Sequence, residues 1–353
     1  MEQTLQAFKE RIVAATAGGA PLQIRGGGTK DWYGQEPRGE VLDTRPYSGI
    51  IDYEPTELVI TARCGTPLSE IDAALAANNQ VLAFEPPRFG GVSTVGGMIA
   101  TGLSGPGRQA SGSVRDFVLG ADLMDAQGQL LHFGGQVMKN VAGYDVSRLL
   151  TGSLGTLGLI LQASIKVLPQ AFATSTRVFE VDQANAIRLL NEWGGQPLPL
   201  SASAWVNGVL TIRLSGAQAA VSAAETKLGG TELTNGEDFW RDLREQNHAF
   251  FADVDAPLWR ISLPSVAQPL ALNGMQLIEW GGAQRWYRGD DGVAVIRAAA
   301  TAAGGHASLY RGGDKSVGVF QPLAPAVAKI HRNLKASFDP SGIFNPGRMY
   351  SEF

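Results

Sequence analysis

Cysteine is nearly missing from this 353-residue chain. Cys64 stands alone, which excludes an internal disulfide and any thiolate metal cluster built within the chain, and suits a reducing compartment. Histidine is scarce as well. His132, His248, His306 and His331 are scattered singly, whereas a metal centre needs several ligands converging on one cation; no metal is expected, and His306 reads as a strand-end residue. A positive surplus is also absent. With 29 Lys and Arg against 33 Asp and Glu the net charge is −4, so no basic field exists to hold nucleic acid or an anionic membrane. Nor is there a long unbroken apolar run. The opening MEQTLQAFKERIV carries charge at Glu2, Lys9, Glu10 and Arg11, unlike a secretory signal. The charge-free residues 89–107 are interrupted by seven glycines and Pro106, a poor membrane helix. The expectation is a cytoplasmic protein that meets a membrane only through partners.

Two nucleotide-binding motifs are missing. After Gly26 and Gly28, Asp31 stands where a dinucleotide fingerprint needs its third glycine. No G-x-x-x-x-G-K-[ST] occurs anywhere. Nicotinamide and nucleoside-triphosphate chemistry lose their usual support.

What the chain does have is glycine, 44 residues of it, set among recognisable elements. Leu5, Phe8, Ile12 and adjacent Val13 predict an amphipathic helix over 3–16. Residues 21–24 read as a strand running into Arg25-Gly26-Gly27-Gly28-Thr29-Lys30. A second strand, 58–62, precedes a helix with Thr66 as N-cap, Pro67 at its first position and Leu68, Ile71 and Leu75 on its buried face. From residue 89 the texture changes to glycine-punctuated strands, with β-rich runs at 118–124 and 158–168 around a turn at 125–128. Pro169 closes this region, and a domain boundary is expected near 170. Residues 171–323 read as a smaller α+β unit: a strand at 175–181, a helix at 184–193 carrying Ile187 and Leu190, a hairpin turning at Asn207-Gly208, a second turning at Gly281-Gly282, and helices near 217–228 and 291–303. That pattern suggests a sheet covered by helices on one face. The tail, 324–353, returns to helix with Val327, Ile330, Leu334 and Phe338 on one side, then ends in turns pinned by Pro340, Gly342, Pro346 and Gly347.

Glycines in tight loops can leave successive main-chain N–H groups exposed, a concave site for a diphosphate that needs no lysine. Gly26-Gly27-Gly28 alone is weak evidence, since an isolated triple glycine is more often a surface turn. Three further segments follow in order: Ser93-Thr94-Val95-Gly96-Gly97-Met98-Ile99-Ala100-Thr101-Gly102, preceded by Glu85-Pro86-Pro87; Ser111-Gly112-Ser113-Val114-Arg115-Asp116; and Gly152-Ser153-Leu154-Gly155-Thr156-Leu157-Gly158-Leu159-Ile160.

Together these resemble the PCMH-type FAD-binding domain of the vanillyl-alcohol-oxidase family, over residues 20–170 and 339–349. The resemblance implies an α+β fold: an FAD-binding domain of two subdomains (1–170), a smaller α+β cap (171–323) and a returning C-terminal segment (324–353). Carried over residue by residue, it implies that Arg25, Gly26, Gly27, Gly28, Thr29 and Lys30 line the diphosphate loop. Pro86, Thr94, Val95, Gly96, Gly97, Ala100 and Thr101 would continue along the cofactor. Gly112, Ser113 and Asp116 would lie near the flavin, and Gly158, Ile160 and Asn345 would complete the set. The stretch from Phe133 to Asp145, with Phe344-Asn345-Pro346-Gly347-Arg348, is similar to the 2-hydroxy-acid branch, and the whole chain to the small FAD-binding subunits of bacterial glycolate oxidases. This implies a larger FAD-containing subunit and an iron–sulfur subunit as partners, and a small 2-hydroxy acid as substrate of the complex. No histidine lies in the loops named, so the FAD is expected to be non-covalent. Arg348, the one candidate for catalysis, would hold a carboxylate or anchor the C-terminal turn; Lys139 would hold a carboxylate or be a solvated charge. Tyr144 would meet the flavin or fill a core, while cross-strand packing accounts for Trp205, Trp280 and Trp286. Three functions stay open: an electron-relaying subunit, a stand-alone dehydrogenase, and a scaffold with an idle flavin site.

Overall fold

A computed structural model describes residues 1–135 and 144–352. The first helix, Glu2–Gly18, buries Phe8, Ile12 and Ala15, while Val13 is exposed; the apolar stripe turns one position away from the expected one. Gly19 ends the helix at φ 61°, a conformation that costs glycine nothing. The strand Leu22–Arg25 then pairs in parallel with Glu40–Asp43, a strand with no alternating signal in the sequence. On its other edge Leu22 forms a parallel bridge to Phe344, so the C-terminal segment becomes a third member of this small sheet.

A five-stranded antiparallel sheet follows, ordered Ile50–Glu54, Val59–Arg63, Leu159–Lys166, Val118–Met124 and Leu130–Gly134. Its central strands are buried along nearly their whole length, which is why they read as continuous apolar runs rather than alternating ones. Ile60, Ala62, Val118, Ala121, Leu123, Ala163 and Ile165 meet Leu68, Ile71 and Leu75 of the helix Leu68–Ala76 in one core. Each large apolar side chain fully buried there contributes roughly 1.5–3 kcal/mol.

Two local expectations are corrected here. Thr66 is not the N-cap: Pro67 occupies that position, and the buried Thr66 hydroxyl accepts the N–H of Gly49 at 2.8 Å instead. The glycine-rich stretch after residue 89 is not strand either. Val95–Thr101 is a helix, capped by the Thr94 hydroxyl on the Gly97 N–H and ended by Gly102 at φ 62°. Gly96 and Gly97 hide it, because glycine weakens a helix signal without forbidding the helix.

Strands between residues 173 and 311 build one eight-stranded sheet in which all pairs are antiparallel. Its two halves join where Leu200–Val206 pairs with Gly274–Glu279. Asn207 at φ 49° and Gly208 at φ 81° make the expected hairpin turn. The second hairpin turns through Trp280, Gly281 and Gly282, all at positive φ. Trp280 is therefore a turn residue rather than a cross-strand one; its indole stacks with the Arg108 guanidinium, 4.2 Å from the ring centre. Gln183–Gly194 and Gln218–Leu228 pack Ala186, Leu190, Val221 and Ala224 on Leu210, Ile212 and Leu214. Val293–Ala302 does the same with Ile296 and Ala300 on Trp259, Ile261 and Tyr287.

The last helix, Pro325–Phe338, departs from its expected stripe. Leu334 and Phe338 rest on the first core, but Val327 and Ile330 are exposed, and the helix's buried residue is Lys335. A lysine is buried only where its charge is met, and its partners belong to the site.

Candidate functional site

The glycine segments converge on a trench. One cavity of about 90 Å³ lies between residues 25–30, Thr94, Gly97, Ala100, Thr101, Leu154, Asn345 and Arg348. A second, of about 60 Å³, shares the walls Ile24, Gly26, Gly97, Ala100, Leu154 and Asn345 and extends past Thr44, Cys64, Gly96, Gly155, Gly158 and Ile160.

At the first cavity the strand Leu22–Arg25 breaks into a loop with Gly28 at φ 72°. Among the described residues, the N–H groups of Gly27, Gly28, Thr29 and Lys30 donate to no protein acceptor. Four consecutive free amides beside a cavity form a concave anion site. The amides at the start of Val95–Thr101 are different: Val95 donates to Thr66 O, Gly96 to Cys64 O, and Gly97 to the Thr94 hydroxyl. The donors thus belong to the loop, not to the helix.

The glycines permit close approach, mainly of chain to chain. A β-carbon on Gly27 would lie 1.7 Å from the Val92 carbonyl oxygen, one on Gly26 2.3 Å from the Thr94 hydroxyl, and one on Gly96 2.8 Å from the Cys64 β-carbon. Gly97 is the exception. A β-carbon there would meet nothing closer than the Thr94 hydroxyl at 3.3 Å, so its missing side chain leaves the trench open.

The far wall comes from the C-terminus. Asn345, at φ 41°, donates from Nδ2 to Leu154 O at 2.6 Å. Lys335 holds that turn in place, donating to Thr156 O at 2.8 Å, Phe344 O at 2.7 Å and Asp339 Oδ2 at 2.6 Å. Asp339 in turn accepts the N–H groups of Ile343 and Phe344. Burial pulls the Lys335 amine below its usual range, and Asp339 opposes that pull. Arg348 gives its two terminal nitrogens to Gln35 O and Asp31 O. Its fork therefore anchors the turn.

Cys64 lines the second cavity although it lies outside the glycine segments. Burial pushes its thiol up to about 12, so it stays protonated and unreactive. The four histidines lie outside the residues lining either cavity. Among the described residues no three His, Cys, Asp or Glu side chains converge as a metal site.

Of the residues expected from sequence, Arg25, Gly26, Gly27, Gly28, Thr29, Lys30, Thr94, Gly97, Ala100, Thr101 and Asn345 line the first cavity, and Gly96, Gly158 and Ile160 the second. Others are not brought there. Val95 turns into the core. Pro86 is buried elsewhere, its carbonyl accepting from Arg88. Ser113 and Asp116 form a capping box after Gly112, away from both cavities. Tyr144 is 94% exposed, neither in a core nor in the trench. Lys139 and the rest of 136–143 lie outside the described residues. Ser93, Leu154 and Tyr33 were missed as wall residues; the first two stand inside the glycine segments, so their signal was position in the chain.

Beside the trench the large sheet and the helix Gly236–Glu245, which lays Trp240 and Leu243 on the sheet's second face and so corrects the expected one-sided cover, meet residues 84–109 across a closed seam. Arg213 pairs with Glu85 at 2.8 Å, and Glu245 accepts the N–H groups of Arg88 and Phe89 at 3.0 and 2.7 Å. The Trp280 indole donates to Gly105 O at 3.1 Å. Trp32 touches Tyr33, Phe89 and Tyr310, and Tyr310 touches Trp286, all edge-on with ring centres 4.7–6.0 Å apart. What space remains is about 20 Å³, lined by Leu103, Ser104, Arg260, Glu279, Trp286 and Tyr310 among others. Glu279 is 4% exposed and accepts from the Trp286 indole at 2.5 Å and from Gln284 at 3.1 Å. Burial lifts its carboxyl to about 7.

Comparison with known proteins places this geometry in context. A family model described as an FAD binding domain matches residues 3–134. The chain is 47% identical over 347 residues to the glycolate oxidase subunit GlcE of Escherichia coli (strain K12), covering 98% of this chain and 97% of that protein. A D-lactate dehydrogenase of Archaeoglobus fulgidus is 36% identical over 152 residues, 42% of this chain and 34% of the relative. Among solved structures, an alkyldihydroxyacetonephosphate synthase superposes with a TM-score of 0.66 at 17% identity, over 96% of this chain and 73% of that one. That likeness concerns the fold alone, and with the domain match it identifies the expected α+β, PCMH-type FAD-binding architecture.

Proposed function

This chain belongs to the family of the glycolate oxidase subunit GlcE, an FAD-dependent oxidoreductase family, and from that premise we propose that it is the FAD-binding, electron-relaying subunit of a 2-hydroxy-acid oxidase complex. The observation that carries the reading is the run of four free amides, Gly27 to Lys30, opening on the trench. Four unengaged donors beside a cavity suit the negative charge of a diphosphate such as that of FAD. Gly97, Ala100 and Thr101 would wall the cofactor on one side and Gly158 and Ile160 at the far end, with Asn345 and Arg348 holding the trench shut. When bound, FAD supplies the redox chemistry; the chain's residues bind it, orient it and exclude water. A protonated Cys64 and the absence of histidine from the lining support non-covalent attachment.

The division proposed is residues 1–170 and 324–353 for the cofactor and 171–323 for the cap. Partners would be a larger FAD-containing subunit and an iron–sulfur subunit, with the complex acting on a small 2-hydroxy acid in the cytoplasm or against the membrane. The naming of the end-to-end relative as a subunit of an oxidase supports relay over direct oxidation, whatever the small space at the seam admits. One observation favours the second reading, a stand-alone dehydrogenase: Arg260 and Glu279 line the same space, a cation for a carboxylate beside a carboxyl near neutrality.

Rapid mixing separates the two. The FAD-loaded chain should keep its flavin absorbance when mixed with glycolate or D-lactate and lose it only once the partner subunits are added. Bleaching of the isolated chain would establish the stand-alone enzyme. A colourless chain that takes up no added FAD would remove both.

A further inference from the structure

Lys30 is a buried cation without a counter-ion. Its residue is 8% exposed, and among the described residues no carboxylate lies within ion-pair distance of Nζ. The ammonium donates to Ser93 Oγ at 2.8 Å and Thr29 Oγ1 at 3.2 Å and faces the Phe89 ring, 5.6 Å from its centre. Two hydroxyls and a ring solvate an ammonium less well than water does. Burial accordingly brings the amine down to about 8, with Arg88 pushing the same way and Glu245 opposing. Neither neighbour is free to compensate it. Arg88 is paired with Asp72, and Glu245 is engaged by Arg244 and by the N–H groups of Arg88 and Phe89. A core position of this kind is ordinarily apolar or paired. Lys30 instead lines the trench as the last of the four residues with free amides.

We propose that Lys30 is the cationic partner of the cofactor's diphosphate, and that FAD binding is thereby coupled to proton uptake at this amine; the proposal rests on the FAD reading above. A diphosphate against Nζ favours the ammonium. Binding and protonation are then linked. Affinity is full below about pH 8, where the amine is already charged, and falls by up to about tenfold per pH unit above it. For the empty protein the sign is reversed. An uncompensated ammonium destabilises the fold below about pH 8, and that penalty is relieved as pH rises toward 10.5. Affinity and empty-state stability therefore pull in opposite directions at one residue, which a purely structural lysine would not show.

Calorimetric titration of the full chain with FAD at about pH 7 and about pH 9, each in two buffers of different protonation enthalpy, tests this. Wild type should take up close to one proton per FAD at the higher pH and almost none at the lower. Lys30→Met should lose the uptake and the pH dependence, bind FAD at least about tenfold more weakly at neutral pH, and melt at a higher temperature when empty. Lys30→Arg, charged throughout, should keep the neutral-pH affinity without the slope; should the larger side chain prevent folding, the wild-type profile decides. Tight binding with no proton uptake and no change in affinity across the range overturns this proposal while leaving the FAD reading intact. Failure to bind FAD at any pH overturns the FAD reading itself.

Discussion

Asn345 Oδ1 accepts the main-chain N–H of Ile24 at 2.8 Å across 321 positions of sequence. Ile24 is the next-to-last residue of the strand that delivers the loop of free amides, and the other end of the same amide group holds Leu154 O. One side chain thus ties together three walls of the trench.

Removing it should weaken both the cofactor site and the fold. Asn345→Ala leaves the Ile24 N–H and Leu154 carbonyl to find other partners, at about 1–3 kcal/mol each where they stay buried. We expect FAD affinity to fall at least about tenfold and the empty protein to melt at a lower temperature. Lys335→Met should act through the same turn, so the two losses should be less than additive in a double-mutant cycle read by flavin fluorescence. Full additivity would assign Lys335 to general stability.

Gly97 and Gly27 should separate two uses of glycine. Gly97→Leu projects into the trench and replaces glycine within a helix, worth up to about 1 kcal/mol in its favour. The protein should melt no lower than wild type yet take up no FAD. Gly27→Ala drives a methyl into the Val92 carbonyl and should lower the melting temperature as well as the flavin content.

The elements that sequence made legible are those whose side chains alternate between solvent and core. Leu68, Ile71 and Leu75 announce their helix, and Asn207-Gly208 its hairpin, because each residue there has one local physical demand to meet. Illegible were the strands Glu40–Asp43 and Ile50–Glu54, which are short and mostly only part-buried, so that neither carries a clear alternation. The helix behind Gly96 and Gly97 was hidden by residues kept small for tertiary reasons. At the site, a motif marks a stretch of chain but not the direction of a side chain. Val95 and Gly97 stand two apart in one segment, yet one fills the core and the other opens the trench. Lys30 stands in the named loop and lines the trench, but its missing counter-ion depends on how Arg88 and Glu245 are engaged elsewhere.

The seam gives a pH dependence of stability. The buried carboxyl of Glu279 holds its proton up to about pH 7, whereas in the unfolded chain it would release it near 4.5. The folded state binds more protons between those values, so stability falls as pH rises through that window, by about 3 kcal/mol from this group. Glu279→Gln can still accept from Trp286 and Gln284. Its denaturation midpoint should be nearly flat over the same range, and a slope equal to wild type would place the titration elsewhere.

Attachment of the flavin is checked chemically. Acid precipitation of the FAD-loaded protein should leave all yellow colour in the supernatant, and iodoacetamide should not label Cys64 until the chain is unfolded. Colour retained in the pellet would mean a covalent link.

The bridge between Leu22 and Phe344 carries a consequence for how the protein matures. During synthesis the diphosphate loop leaves the ribosome some three hundred residues ahead of the segment that must lie beside it. Until that segment arrives the trench lacks the wall built by Asn345 and Arg348. A protein truncated upstream of residue 343 would keep the diphosphate loop but not that wall, and should hold flavin less tightly however much is supplied.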